Sequence, residues 1–129
     1  MIESTVKRRP QLRGLFGIDG PSTLASGTVV ERLDLRSRGV RGGGYDLLPD
    51  DLGLVGDGHL DFVVDQQAYV QGFASVLQLF LARISEGTVV PSDTETSVLL
   101  RKADVKRFLD TKSRFEGSSS RHDYPLRRV

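Results

Sequence analysis

The sequence contains no cysteine and no tryptophan among its 129 residues. The lack of cysteine excludes disulfide bonds, thiolate zinc sites and cysteine catalysis. Long apolar runs are also missing: the stretch 76–82 is interrupted by Gln78 and falls well short of the ~18 residues that a membrane span needs. Residues 1–4 do not begin the apolar core of a signal peptide, so we expect no export signal within this chain. The length is that of one globular domain or part of one.

The net charge is only +1, but the charges are unevenly distributed. Residues 15–100 carry five arginines against twelve acidic residues, whereas both ends of the chain are basic. A nucleic-acid-binding protein usually carries its positive charge on the folded body. We therefore expect no nucleic acid partner and interpret the basic ends as solvated termini.

The order of the predicted elements indicates an α/β fold with a parallel sheet and flanking helices. Short apolar runs predict strands, and helical spacing of apolar residues predicts the helices between them. The strands are expected at 12–18, 40–45, 60–64 and 97–100, and the helices at 21–36, 49–55, 68–85 and 103–109. Residues 1–11 are expected to form a disordered start, and residues 111–129 a polar basic tail. Alternation of strand and helix at this length is typical of a parallel sheet.

Polar side chains follow three of the predicted strands. Asp19 follows the first strand, Asp46 the second, and Asp65, Gln66 and Gln67 the third. Ligands of open parallel sheets bind at the carboxyl ends of the strands. Carboxylates accept hydrogen bonds from hydroxyl groups, and amides both donate and accept them, so this edge suits a neutral sugar or polyol.

Two tyrosines lie beside these positions and could present ring faces to sugar C–H groups, namely Tyr45 and Tyr69. Alternatively, an aspartate before a helix is simply the N-terminal cap of that helix and contacts no ligand. This alternative stays open for Asp19. The glycines at 42–44 lack the lysine of a phosphate-binding loop, and we attribute them to close backbone packing. His59 and His122 have no partner at metal-ligand spacing, so no metal site is expected.

Three segments resemble the later part of the type I (ribose-binding-like) periplasmic sugar-binding proteins of bacterial ABC transporters. They are GIDGPSTLASG (17–27), GGGYDLLPDDL (42–52) and GHLDFVVDQQAYVQGF (58–73). The third is the most specific, and the resemblance covers about residues 12–110. Ala68 departs from the pattern, since relatives often carry proline there.

The resemblance implies two α/β lobes with a sugar between them, and chain crossings near 66 and near 95–98. Asp19, Asp46 and Gln66 match sugar contacts of the family, whereas Asp65, Gln67 and Tyr45 are less certain. It also implies that this chain is a C-terminal fragment without the first lobe, which would leave the apolar stripe of helix 69–84 partly uncovered.

The function expected from the resemblance is sugar or polyol binding as the substrate-binding component of an ABC transporter. No cofactor and no catalysis are implied. The full-length protein would work with a transporter permease in the periplasm or at the cell surface. Two alternatives remain open at this point: the sugar-sensing domain of a transcriptional regulator of the same fold, and a small α/β carbohydrate-active enzyme.

Overall fold

The computed structural model describes residues 2–89 and 97–109. Its strands are β1 (Gly14–Phe16), β2 (Arg41–Tyr45), β3 (Phe62–Asp65) and β4 (Val98–Leu100). Its helices are α1 (Ile2–Arg8), α2 (Gly20–Arg32), α3 (Pro49–Asp57), α4 (Ala68–Ile84) and α5 (Lys102–Leu109). Every strand and helix predicted between residues 12 and 109 is present, with shifts of a few residues at the ends.

The strands form one sheet in the order β1-β2-β3-β4, and β2 pairs in parallel with both β1 and β3. Helix α2 packs on β1 and β2, and α3 packs on β3, α2 and α5. The predicted α/β class with a parallel sheet and flanking helices is thereby confirmed. The carboxyl ends of β1, β2 and β3 consequently lie at one edge of the sheet.

The described residues divide into two compact units, the first built from residues 2–65 and 99–109 and the second from residues 66–89 and 97–98. In the first unit, one apolar cluster includes Leu52, Val63 and Val105, and another includes Val30 and Val40. Burial of these branched side chains provides the main driving force for folding of this unit.

Glycine at the centre of β2 lets aromatic and helical groups come close to the strand. A Cβ atom on Gly43 would lie 2.7 Å from the ring of Phe62, and the ring of Phe62 stacks on that of Phe16 at a centroid distance of 6.1 Å. The interpretation of glycines 42–44 as positions of close packing is thus confirmed.

The expectation of a disordered start at residues 1–11 was wrong. Residues 2–8 form α1, and Val6 is almost fully buried in the second apolar cluster. The sequence does not predict this helix because α1 is only two turns long and has a single buried side chain, and one buried apolar position cannot form a periodic pattern. The predicted tail at 111–129 lies outside the described residues.

Helix α2 ends four residues before its predicted end. Asp34 adopts a left-handed conformation with φ of 45°, and the Leu35 N–H donates to the Val30 carbonyl. Leu35 is fully buried after this turn. The apolar residues near the predicted helix end therefore reach the core through a turn and not through further helix.

An ion cluster lies near the amino ends of β2 and β3. Asp61 accepts hydrogen bonds from Arg36 at 2.7 Å, Arg41 at 2.9 Å and the Gly42 N–H at 2.9 Å. Partial burial opposes the charged form of Asp61, but these donors outweigh it and lower its pKa. The cluster joins the start of β2 to the segment that leads into β3.

The second unit contains α4, and no residue of this helix is buried. The apolar stripe predicted along this helix includes Tyr69, Phe73, Val76 and Phe80, which are between 58% and 77% exposed. Among residues 2–89 and 97–109, no helix combines the length and hydrophobicity required to cross a membrane.

Candidate ligand-binding site

The N-terminus of α2 carries the first candidate residue, Asp19. The carboxylate of Asp19 accepts a hydrogen bond of 2.8 Å from the Ser22 N–H, and the Ser22 hydroxyl accepts one from the Asp19 N–H at 3.2 Å. This reciprocal arrangement is a capping box, and Pro21 favours the helix start that follows it. The hydrogen bonds from Ser22 lower the pKa of Asp19, so its carboxylate stays ionised at neutral pH.

Asp46 meets the same helix terminus from the neighbouring strand. Its Oδ2 accepts a hydrogen bond of 2.6 Å from the Gly20 N–H, and its own N–H donates to the Val64 carbonyl on β3. Asp46 has a φ of 79°, in the left-handed region that non-glycine residues seldom adopt. The strained backbone turns this side chain back towards α2, so Asp19 and Asp46 both bind the first turn of one helix.

Thr23 fixes the relative position of these two aspartates. Its fully buried hydroxyl accepts a hydrogen bond of 3.0 Å from the Tyr45 N–H and lies 2.7 Å from the Asp19 carbonyl, to which it can donate. A Cβ on Gly44 would collide with Thr23 and with the Gly17 carbonyl. Only glycine at position 44 lets α2 come close enough for this bond.

The remaining predicted residues are divided between the two units. Asp65 is the last residue of β3, one position after Val64, and thus lies on the strand next to Asp46. Gln66 and Gln67 begin the second unit, where the Gln66 carbonyl accepts a hydrogen bond of 2.6 Å from the side chain of Gln71. The structure therefore brings Asp19, Asp46 and Asp65 to adjacent strand ends of the first unit.

The two tyrosines are solvent-accessible in their own units. Tyr45, the last residue of β2, is 41% exposed although Thr23 holds its backbone, and Tyr69 in the first turn of α4 is 77% exposed. Their rings are accessible for stacking on an apolar ligand surface.

Two residues of this region were not predicted from the sequence. Thr23 could have been found, because a hydroxyl residue four positions after a capping aspartate often binds the turn backbone. Asp51, in the first turn of α3, is fully buried, and neither of its carboxylate oxygens has a hydrogen-bond partner among the described residues. No sequence signal distinguishes Asp51 from its exposed neighbour Asp50.

No group of three or more potential metal ligands is present in the described part of the chain. His59 lies 3.7 Å from Glu31, away from the strand ends that carry the candidate residues, and His122 lies outside the described residues. The chemistry that the first unit offers at this edge is hydrogen bonding by carboxylates, beside the partly exposed ring of Tyr45.

Comparison with known proteins gives a consistent set of relatives. The chain is 38% identical over 124 residues to the xylose/arabinose-binding protein XylF of Sulfolobus acidocaldarius. The matched region covers 92% of this chain and 31% of XylF. No protein-family model matches the chain.

Solved structures with the same fold include two proteins from Geobacillus stearothermophilus. The glucose-galactose-binding protein GanP superposes with a TM-score of 0.65 at 25% identity, over 80% of this chain and 36% of that one. The arabinose-binding protein AraP gives 0.66 at 18% identity, over 82% of this chain and 39% of that one. The chain thus spans about a third of the length of the relatives that it matches. It is similar to part of a xylose/arabinose-binding protein and has the α/β fold of solute-binding proteins of ABC transporters.

Proposed function

We propose that this chain binds a monosaccharide as part of the substrate-binding component of an ABC transporter, with Asp19 and Asp46 as sugar contacts. The observation that carries the proposal is the meeting of both carboxylates at the N-terminus of α2, at the ligand-binding edge of the sheet. A carboxylate accepts up to about four hydrogen bonds, so the bond from Gly20 uses only part of the acceptor capacity of Asp46. Sugar hydroxyls are suitable donors for these acceptors.

Two of the relatives favour a pentose as the sugar, and GanP, a glucose-galactose-binding protein, makes a hexose the alternative. XylF is described as binding xylose or arabinose, and AraP as binding arabinose. Xylose and arabinose are pentoses with several adjacent hydroxyl groups. Such hydroxyl groups suit the carboxylate acceptors at neighbouring strand ends. Pentoses are therefore the first ligands to examine.

Gln66 is proposed as a third contact, with Asp65, Gln67 and Tyr45 as further candidates. The boundaries of the two compact units, between Asp65 and Gln66 and between residues 98 and 99, support chain crossings between two lobes at these points. In such a receptor, closure of the lobes around the sugar produces the form that a permease recognises. We propose that the full-length protein presents bound sugar to a permease in this way, in the periplasm or at the cell surface. We propose no catalytic step for it.

Isothermal titration calorimetry with D-xylose and L-arabinose tests the proposal. Asp46→Asn replaces a charged acceptor with a neutral amide and should weaken binding by about 10- to 100-fold, since hydrogen bonds to charged groups contribute ~1.5–3 kcal/mol. Asp57→Asn, an exposed change at the end of α3, is the matched control and should bind as the unmodified chain does.

Equal affinity of the Asp46 and Asp57 variants would contradict the assignment of the site. Conversion of the sugar or of its glycosides during the titration, abolished in the Asp46 variant, would instead support the enzyme alternative. Saturable heat without turnover is the expected result.

A further inference from the structure

Asp51 is a buried carboxyl group whose oxygens accept no hydrogen bond of good geometry from the described residues, the nearby Leu48 N–H included. It is the third residue of α3, has no solvent-accessible surface, and neither Oδ1 nor Oδ2 is within hydrogen-bond geometry of a described residue. Buried polar atoms in proteins are almost always hydrogen-bonded, so this exception requires a physical explanation. No ligand can reach the group directly, because its oxygens are enclosed by the first unit itself.

The surroundings of Asp51 disfavour a negative charge. Burial has the largest effect, the carboxylates of Asp46 and Asp50 add to it, and together they raise the pKa of Asp51 to about 7. The nearby Leu48 N–H favours the ionised form and offsets only part of this effect.

Among the described residues, no cation is one of the groups that shift the pKa of Asp51, and the core beneath α3 is apolar. The elements that pack against α3 contribute apolar side chains to this core, namely Leu24 from α2, Val63 from β3 and Val105 from α5. The charged groups of the described residues that act on Asp51 are thus the two carboxylates of its own segment, Asp46 and Asp50.

One short segment connects Asp51 to the candidate sugar contacts. Asp46, five residues earlier, binds the Gly20 N–H, and a Cβ on Gly20 would lie 2.9 Å from Leu48 and 3.2 Å from Asp46. The segment 46–51 is therefore held between the N-terminus of α2 and the core. A charge on Asp51 would repel the carboxylate of Asp46 and disturb its contact with Gly20.

We propose that Asp51 is a positioning residue for the sugar site, and that the site binds sugar with the Asp51 carboxyl protonated. The proposal rests on the proposed function above. When Asp51 loses its proton, Asp46 moves away from the Gly20 N–H and sugar binding weakens. Because about one carboxyl in ten is still protonated one pH unit above its pKa, affinity should fall about tenfold between pH 6 and pH 8.

Carbon-13 NMR of the Asp51 carboxyl in the unmodified chain, from pH 3 to pH 9, is the first part of the test. We expect a midpoint near 7, and we expect the amide resonance of Gly20 to shift with the same midpoint. A midpoint near 4, or a Gly20 amide that does not respond when Asp51 titrates, would overturn the proposal. These readouts need no sugar and no variant.

The second part compares Asp51→Asn with Asp57→Asn, the exposed change at the end of α3 that leaves the surroundings of Asp51 intact, by calorimetry with D-xylose and L-arabinose from pH 5.5 to pH 8.5. The Asp51 variant should keep the same affinity across this range, whereas the Asp57 variant should lose affinity with rising pH as the unmodified chain does. A pH profile of the Asp51 variant that matches the unmodified chain would overturn the positioning role. Absence of sugar binding at every pH, with the coupled titration of Asp51 and Gly20 intact, would count against the proposed function alone.

Discussion

The exchange Thr23→Val tests how the edge of the sheet that carries the candidate site is built. Valine has nearly the shape of threonine but lacks the hydroxyl, so the Tyr45 N–H loses its acceptor in a fully buried place. An unsatisfied buried donor costs ~1–3 kcal/mol, and the lost hydrogen bond to the Asp19 carbonyl adds to this cost. We expect the free energy of unfolding to fall by about 2–3 kcal/mol.

Thr28→Val is the matched control. Thr28 lies on the same helix, and its hydroxyl donates to the Leu24 carbonyl at 2.8 Å, an acceptor that the helical ladder also uses. Both exchanges place a valine in α2, so the change in helix propensity cancels. The control should therefore lose no more than about 0.5 kcal/mol, a typical limit for changes away from buried networks.

Urea denaturation followed by circular dichroism measures both variants, and the difference of about 2 kcal/mol corresponds to roughly 10 °C in melting temperature. Thr23→Ser, which keeps the hydroxyl, should recover part of the lost stability. Equal destabilisation by the two valine variants would refute the argument that the Thr23 hydroxyl joins α2 to the end of β2.

Three further predictions, with four substitutions, concern other parts of the structure. Gly44→Ala should destabilise the chain by several kcal/mol, because the added methyl group collides with Thr23. Gly53→Ala has open space around the new methyl group and should stabilise the chain by ~0.5–1 kcal/mol. Denaturation midpoints distinguish the two outcomes. Asp61→Asn should lower the free energy of unfolding by ~1–3 kcal/mol at pH 7. Because the pKa of Asp61 is lowered in the folded chain, this difference between the variant and the unmodified chain should persist above pH 4 and vanish as the pH falls through the folded-state pKa. A constant difference down to pH 2 would contradict this prediction. Burial raises the pKa of Asp51 from 3.8 to about 7. The contribution of Asp51 to the free energy of unfolding should therefore fall, by up to about 4 kcal/mol, as the pH rises through this interval. Asp51→Asn should remove this contribution, and an unchanged pH profile of unfolding would disprove it.

The order of strands and helices was predictable from the sequence because most elements carry a clear signal. Pro21 and Pro49 open helices α2 and α3, and the spacing of apolar residues outlines α4. The placement of Asp19, Asp46 and Asp65 at adjacent strand ends followed from the parallel order, since the carboxyl ends of such strands share one edge.

Contacts between residues distant in the chain were not predictable. The approach of Gly20 to Asp46, 26 residues later, depends on the turn conformation of Asp46, which no local pattern indicates. Arg36 and Asp61 likewise meet across 25 residues. The burial of Asp51 beside the exposed Asp50 depends on the rotation of α3 against the core, which two adjacent aspartates do not reveal.

An NMR titration of this chain with D-xylose and L-arabinose tests the central claim most directly, because chemical shifts detect even millimolar binding residue by residue. Saturable shifts should appear at the amides of Gly20, Ser22 and Asp46, and they should be lost in Asp46→Ala but kept in Asp57→Asn. Amides at the start of α2 that do not respond to either sugar, or that shift equally in the Asp46→Ala chain, would contradict a sugar contact at the two carboxylates.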